Sequence, residues 1–432
     1  MPSQLGILRH FAVARWQRRF ATREQLLAWQ ERQLAEFIKS LASNSPFYRD
    51  FEPALEKLPR MNKSDFIANF AALNPHGITL EEATALAIKA ERDRDFTPTL
   101  PNGITVGLSS GTSGARGVFL VSREDRERWA GIVLARVLSA ESLRQILSPW
   151  RAPLKIAFFL RADSNLYRSL GSRRVQFRFF DLLQPLAKLA RELQDYQPDV
   201  LVAPATVLAE LARDKLVDLQ PRQVVSVAEV LDEADAAAIA RCFGTPPANV
   251  YQATEGFLAS TCPAGNLHLN EEYLHVETEW LDDGKRRFHP VITDFSRRSQ
   301  FIVRYCLDDV LSIADSPCPC GRVARTIRSV DGRADEVLRF GAPVFPDVLR
   351  HAFHTMEQPP GFYRIEQHGK LLHIMLKNPG ETSEQGVSQA LVRLFTKLQL
   401  PMPELRYLPW IDQAPGEKLR RIRLVTPHPD FP

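Results

Sequence analysis

Apolar residues recur at helical spacing over the first part of the chain. Thr22-Arg-Glu-Gln25 has the form of a capping box, in which side chains satisfy orphaned N–H groups at a helix start. Leu27, Leu34, Phe37, Ile38 and Leu41 then fall on one helical face. Asn44-Ser-Pro46 ends that helix, because proline lacks the N–H and crowds the turn before it. A second helix is predicted from Ser64. From about residue 100 the texture changes to short apolar runs alternating with helical segments. Ile156–Leu160, Val200–Ala203 and Val224–Val227 read as buried strands, and Thr206–Leu216 and Glu233–Phe243 as helices. That alternation predicts a layered α/β domain with mostly parallel strands, since parallel neighbours require a crossover. Beyond Asp335 the pattern shifts to a hairpin around Leu371–Leu376, a helix over Ser383–Leu398 and a basic tail, Lys418–Arg423. The division is therefore residues 1–335 as a large domain and 336–432 as a small α+β domain.

Composition narrows the classes. The 432 residues are 44% hydrophobic and 25% charged, an ordinary globular balance, and the net charge is only +4. Such a charge nominates no nucleic-acid partner, and no apolar run reaches membrane-spanning length. A soluble, cytoplasmic protein is the expectation. Residues 1–23 carry five arginines and no acid, as in a transit peptide. They lack a small-residue cleavage pattern, however, and Leu8, Phe11 and Trp16 interleave as on a helix docked at a surface. Five cysteines are too few and too unevenly placed for a disulfide scaffold.

The most informative stretch is Val106-Gly-Leu-Ser-Ser-Gly-Thr-Ser-Gly-Ala-Arg-Gly117. Its glycines free the backbone so that N–H groups can converge on a polyanion, and its hydroxyls can donate to phosphate oxygens. It lacks the Gly-Lys-Ser/Thr ending of a Walker A loop. Taken alone it is equally compatible with a flexible turn.

Within it, Ser109-Ser-Gly-Thr-Ser-Gly114 resembles the phosphate loop of the adenylate-forming superfamily, in its phenylacetate–CoA ligase-like branch. Further signatures follow in the branch's order. Tyr251-Gln-Ala-Thr-Glu255 is similar to its aromatic-x-x-Thr-Glu motif, and Arg304-Tyr-Cys-Leu-Asp-Asp309 to its Arg-Tyr-x-x-Gly-Asp. Gly332-Arg-Ala-Asp-Glu336 with Gly341 and Phe345-Pro346 resembles its domain junction, and Glu417-Lys-Leu-Arg-Arg421 its terminal Gly-Lys-x-x-Arg. Asn44-Ser-Pro-Phe-Tyr48 and Leu58–Asp65 also fit, so the resemblance spans nearly the whole chain.

The resemblance implies a large multi-layered α/β domain of the adenylate-forming type with a small mobile C-terminal lid. It implies that Mg–ATP activates a carboxylic acid as an acyl-adenylate. Ser109, Ser110, Gly111, Thr112, Ser113 and Gly114 would hold the β and γ phosphates. Glu255, beside Thr254, would bind magnesium, and Tyr251 would lie against adenine. Asp309 would accept from the ribose hydroxyls, Arg333 would sit near ribose or phosphate, and Asp335 would be the hinge. Lys418 would reach the α-phosphate and the acid, making Lys418, Glu255 and Thr112 the catalytic set. Taken singly each residue has a bland reading, Asp309 as a surface acid and Tyr251 as a core aromatic; it is their order that argues for a site. Three departures stand out: Ala115-Arg116 where the branch has Lys-Pro, Asp308 for glycine, and Glu417 for glycine.

Cys262-x5-His268 and Cys318-x-Cys320 offer three thiols and one imidazole, a set suited to a closed tetrahedral zinc site of structural role. Members of the branch carry Cys/His ligands in this region. The alternative is four merely reduced or buried side chains, and Cys242 and Cys306 are left to pack as small apolar groups.

Function then divides three ways. An acid–thiol ligase would pass the acyl group to CoA or to an acyl carrier protein. An adenylyltransferase would leave AMP on a small-molecule acceptor, as deazaflavin-adenylating synthetases of the branch do. A degenerate protein would bind ATP without chemistry, which retention of Glu255, Asp309 and Lys418 argues against. Phe158, Phe159, Phe177, Phe179 and Phe180 make an aryl or apolar acid plausible, unless they are core strand residues. Oligomeric state stays open, a homodimer among the options.

Overall fold

The computed structural model describes residues 3–108, 117–160, 172–377, 384–412 and 420–425. Among these a twelve-stranded sheet runs through the large domain and a four-stranded sheet through the small one. Leu154–Leu160, Val175–Asp181, Val200–Pro204, Gln223–Val227 and Ala248–Ala253 are parallel neighbours, as the alternation predicts. Successive residues of these strands point to opposite faces. Ala157, Phe159, Leu201 and Ala203 pack on the helices Leu186–Tyr196, Ala205–Arg213 and Glu233–Phe243. Ile156, Phe158, Val200 and Val202 pack on the other face, against Arg123–Val137 and the N-terminal helix.

Beyond Ala253 the parallel arrangement stops. Gly256–Thr261, Leu267–Leu269, Thr326–Arg333, Asp309–Ile313, Arg287–Asp294 and Leu274–Trp280 continue the sheet antiparallel. No described helix lies between them to carry a crossover, so neighbours reverse direction. The helix Arg23–Asn44 covers this half with Leu34, Phe37, Ile38 and Leu41. Here the sequence reading slipped by one position: Leu26 is fully buried and Leu27 is 44% exposed. Thr22 does accept from the Gln25 N–H, but the Gln25 amide oxygen accepts from Ala21, one residue short of a reciprocal box.

The arginine-rich N-terminus is a docked helix, Gln4–Ala12, with Ile7 and Phe11 inward and Leu8 outward. Arg15 donates to the carbonyls of Ala135 and Leu138. No described helix is long and apolar enough to cross a membrane.

The small domain has its own core, from Leu338 to Ile422, built on the hairpin Tyr363–His368 and Leu371–Leu376 with the helix Glu384–Lys397 packed behind it. Arg421 fastens it to the large domain. Its guanidinium donates to Asp232 and to Asp235, at 2.5 and 2.8 Å, and Arg213 takes the other Asp235 oxygen at 2.5 Å.

Candidate active site and metal centre

A cleft of about 1560 Å³ opens between the two domains, at the carboxyl ends of the parallel strands. Its wall includes Leu108 and Gly117, which flank the glycine–serine loop, together with Tyr251, Thr254, Glu255, Asp309 and Arg333. Arg420 and Arg421 of the small domain face it from the other side. Residues 109–116 and 413–419 lie outside the described residues, and with them Ser109, Ser110, Gly111, Thr112, Ser113, Gly114 and Lys418. The described flanks of both segments therefore open on one cleft.

Local folding explains the placement. Thr105–Leu108 and Val118–Val121, the described segments on either side of the glycine–serine stretch, pair antiparallel. Gly107 leaves room there for the Phe119 ring, whose tip lies where a Cβ would stand. Tyr251 lies on Ala248–Ala253, and Thr254–Glu255 is the two-residue turn into the next strand. Buried Arg297 props that turn, donating to the Thr254 carbonyl at 3.0 Å and to that of Leu120 at 2.9 Å. The Tyr305 hydroxyl faces Glu255, and its pKa is pushed up by burial and by that acid.

Asp309 and Arg333 stand opposite each other on adjacent antiparallel strands. The Tyr251 hydroxyl donates to Asp309 Oδ2 at 2.5 Å. Burial, then the Asp309 carboxylate, raise the Tyr251 pKa well above its ordinary value. Burial also raises that of Asp309, against the Tyr251 hydrogen bond and the Arg333 charge. Arg333 stays cationic: burial disfavours its charge, but Asp309, Asp335 and Asp308 outweigh it. Asp308, the departure that adds negative charge, is paired with Arg333 at 3.2 Å. Arg420 pairs with Asp335 at 2.5 Å, so the basic tail touches the junction acid.

Arg297, Tyr305 and Arg420 were not singled out from sequence. Tyr305 lay within a quoted motif, but its partner is fifty residues away in the chain and no local pattern announces the pairing. Arg304 of the same motif serves the fold, pairing with Glu277 at 2.7 Å. The phenylalanines read as pocket candidates belong to the core instead. Phe159 stacks on Phe180 at 4.5 Å, Phe158 lies tilted to Phe177 at 5.5 Å, and none of the five lines the cleft. The aromatic lining of the cleft includes Phe119, Trp129, Tyr251, Phe257, Tyr273 and Tyr305.

No family model matches the sequence, and no curated protein does. Solved structures do. A 2-hydroxyisobutyryl-CoA ligase in the postadenylation state, bound to an acyl-AMP, overlays with TM-score 0.66 and 18% identity, over 93% of this chain and 89% of that one. Its open conformation, bound to 2-HIB-AMP and CoA, overlays less well, at TM-score 0.52. The anthranilate CoA ligase AuaEII with anthranoyl-AMP gives 0.54 at 16% identity, over 74% of this chain and 65% of that one. ATP-bound MatB from Rhodopseudomonas palustris gives 0.50 at 12%, over 75% and 67%. The chain has the fold of the adenylate-forming enzymes.

A second cluster sits on the antiparallel half of this adenylate-forming fold. One ligand atom from each of Cys262, His268, Cys318 and Cys320 lies within 4.8 Å of the others. Two tight turns present them. Gly265 N–H donates to the Cys262 carbonyl and Gly321 N–H to that of Cys318, both glycines with positive φ. Asn266 and the Arg322 N–H donate to the sulfurs of Cys318 and Cys320, at 3.3 and 3.4 Å. His268 Nδ1 lies 3.0 Å from the Ala324 carbonyl, which as Nδ1–H leaves Nε2 to face Cys320 Sγ at 3.4 Å. These are the oriented donors and fixed tautomer a thiolate–imidazole metal site needs. Cys242 packs against the apolar core, as read from sequence.

Proposed function

We propose that this protein is an AMP-forming acid–thiol ligase of the phenylacetate–CoA ligase-like kind. The observation that carries this is the Tyr251–Asp309–Arg333 constellation, with Glu255 beside it, in the cleft that receives both the loop flanks and the basic tail. An acid and ATP are both anions, so the catalytic task is positioning and charge neutralisation. Ionised Asp309 accepts from the ribose hydroxyls, a task for a group with acceptors only. Tyr251 fixes that carboxylate through its hydroxyl and offers its ring face to adenine. Arg333 balances phosphate or ribose-side charge, and Ser109–Gly114, with Thr112 central, cradle the β and γ phosphates. Glu255 would hold magnesium, a hard cation suited to a carboxylate at the cleft wall, whose chemistry is to screen the phosphates.

In the first half-reaction a carboxylate oxygen bonds to the α-phosphorus and pyrophosphate departs, with Lys418 donating to the oxygens that gain charge. In the second, a thiol of CoA or of a carrier protein attacks the acyl carbon and AMP leaves. Residues from 336 onward form the lid that turns about Asp335 between the two. The better overlay on a postadenylation arrangement than on an open one supports placing this conformation near the first half-reaction. Cys262, His268, Cys318 and Cys320 hold one structural zinc, and the uncrosslinked thiols suit a reducing, cytoplasmic compartment.

Pyrophosphate–ATP exchange tests the reading, run with magnesium over aryl, fatty and amino acids, with and without CoA. Acid-dependent exchange followed by thioester is the expected result. ATP binding without exchange for any acid, or AMP found covalently on the final product, would overturn it.

A further inference from the structure

We propose that Glu366, His368 and His373 form a second metal site, on the sheet of the small domain, for a divalent transition ion such as zinc. Glu366 and His373 are direct partners across the antiparallel hairpin. His368 lies two residues beyond Glu366 on the same strand, so period-two alternation puts all three on one face. One ligand atom from each lies within 4.8 Å of the other two, and the imidazole rings are 4.4 Å apart. The Nε2 atoms of both histidines are shielded from solvent and have no hydrogen-bond partner among the described residues. Shielded polar atoms normally find hydrogen-bond partners, and the nearest carboxylate oxygen, Glu366 Oε2, stands 3.7 Å from His368 Nε2, beyond hydrogen-bond reach, so two such nitrogens converging beside a carboxylate mark a place that a ligand satisfies.

The platform is rigid. Gly369, at φ +61, completes the tight turn. On the opposite face of the strand the Gln367 amide donates to the carbonyls of Gly369 and Arg339, at 2.7 and 2.6 Å. Two imidazoles and one carboxylate favour zinc, copper or nickel over magnesium or calcium. Three protein ligands leave a coordination position open, unlike the closed thiol-rich set of the large domain. Arg406 stands opposite His373 on the next strand and Arg423 opposite Glu366. Both cations oppose a metal charge, so this site binds more weakly than the cysteine site, and Arg406→Gln tightens it. Occupancy would clamp the two strands whose reverse face holds Arg339, just past the domain junction.

The test is cobalt and zinc titration of the full chain, previously stripped of metal, followed by calorimetry and absorption. Wild type should take two equivalents: one with thiolate-to-cobalt charge-transfer absorption, the other without. His373→Gln should lose the second by at least tenfold in affinity and keep the first. Amide resonances of residues 363–376 should broaden on cobalt addition in wild type and not in the variant, which also checks that the hairpin has folded. Retention of the second equivalent in His373→Gln, or undisturbed hairpin resonances in wild type, would overturn the proposal.

Discussion

In the proposed reaction, Asp309 is the residue on which nucleotide binding would turn. Replacing it with Asn keeps the shape but removes the charged acceptor. Hydrogen bonds to charged groups contribute about 1.5–3 kcal/mol, so ATP affinity should fall by roughly 10- to 100-fold in calorimetry. Tyr251→Phe should cost less, on the order of fivefold, because its hydroxyl positions the carboxylate through one neutral donor. The raised pKa of Asp309 fixes the pH response. Its ionised form is the acceptor, so ATP binding should weaken as pH falls through that raised value, at a less acid pH than for an ordinary aspartate. Asp309→Asn should flatten this profile, and an unchanged acid limb in the variant would remove Asp309 from the role. Lys418→Ala should slow adenylation by about 10²–10³, as loss of one preorganised donor does, with transfer from preformed adenylate much less affected. Equal loss in both half-reactions would contradict the assignment. Tyr251, Glu255, Asp309 and Arg333 could be picked out from the sequence because each belongs to a short motif. Arg297 and Tyr305 could not, because each acts by contact with a segment remote in the chain.

At the scale of elements, turns shape both candidate sites. Gly332 opens the junction at φ +138, where a Cβ would stand 2.6 Å from Glu336 Oε2 and 2.9 Å from Pro346. Gly332→Ala should destabilise by about 1–3 kcal/mol through backbone strain alone, seen as a lowered melting temperature. The cysteine turns are tied to the rest through Glu272, which pairs with Arg322 and with Arg136 of the helix Arg123–Val137. Burial pushes the Glu272 carboxyl up, but Arg322 and Arg136 prevail and hold its pKa at about 2, below the ordinary 4.5. A depressed folded-state pKa stabilises above the unfolded value, so this contribution is complete above 4.5 and is lost as pH falls towards 2. Glu272→Gln should start less stable at neutral pH and lose less on acidification, measured by thermal melts across that range. The helical and parallel-strand segments were legible because their apolar periods are long and regular. The one-residue slip from Leu26 to Leu27 arose because both are leucines and only packing against the antiparallel strands chooses between them.

For the whole molecule, Arg421 is a central link between the two domains, beside Arg287–Asp347 and the Arg213 donor to the Gly361 carbonyl. Removing Arg421 leaves Asp235, 1% exposed, with Arg213 as its remaining cation. Breaking a buried pair by deleting one partner typically costs about 3–5 kcal/mol. Arg421→Ala should therefore loosen the small domain, read as faster amide exchange in Ile422–Leu424 and a larger radius of gyration in solution. An unchanged radius and exchange rate would mean the domains are held elsewhere. The sequence by itself determined the α/β layering, the change of texture near Asp335, the order of the motifs and the two Cys/His pairs, because local periodicity and turn chemistry are written in neighbouring residues. Tertiary structure alone decided that the phenylalanines pack with the core, that Asp308 pairs with Arg333, and that the basic tail meets the junction acid. It also decided that the two Cys/His pairs close on one point and that the strands reverse after Ala253. Those outcomes depend on which distant segments meet, and a linear pattern carries no record of distance in space.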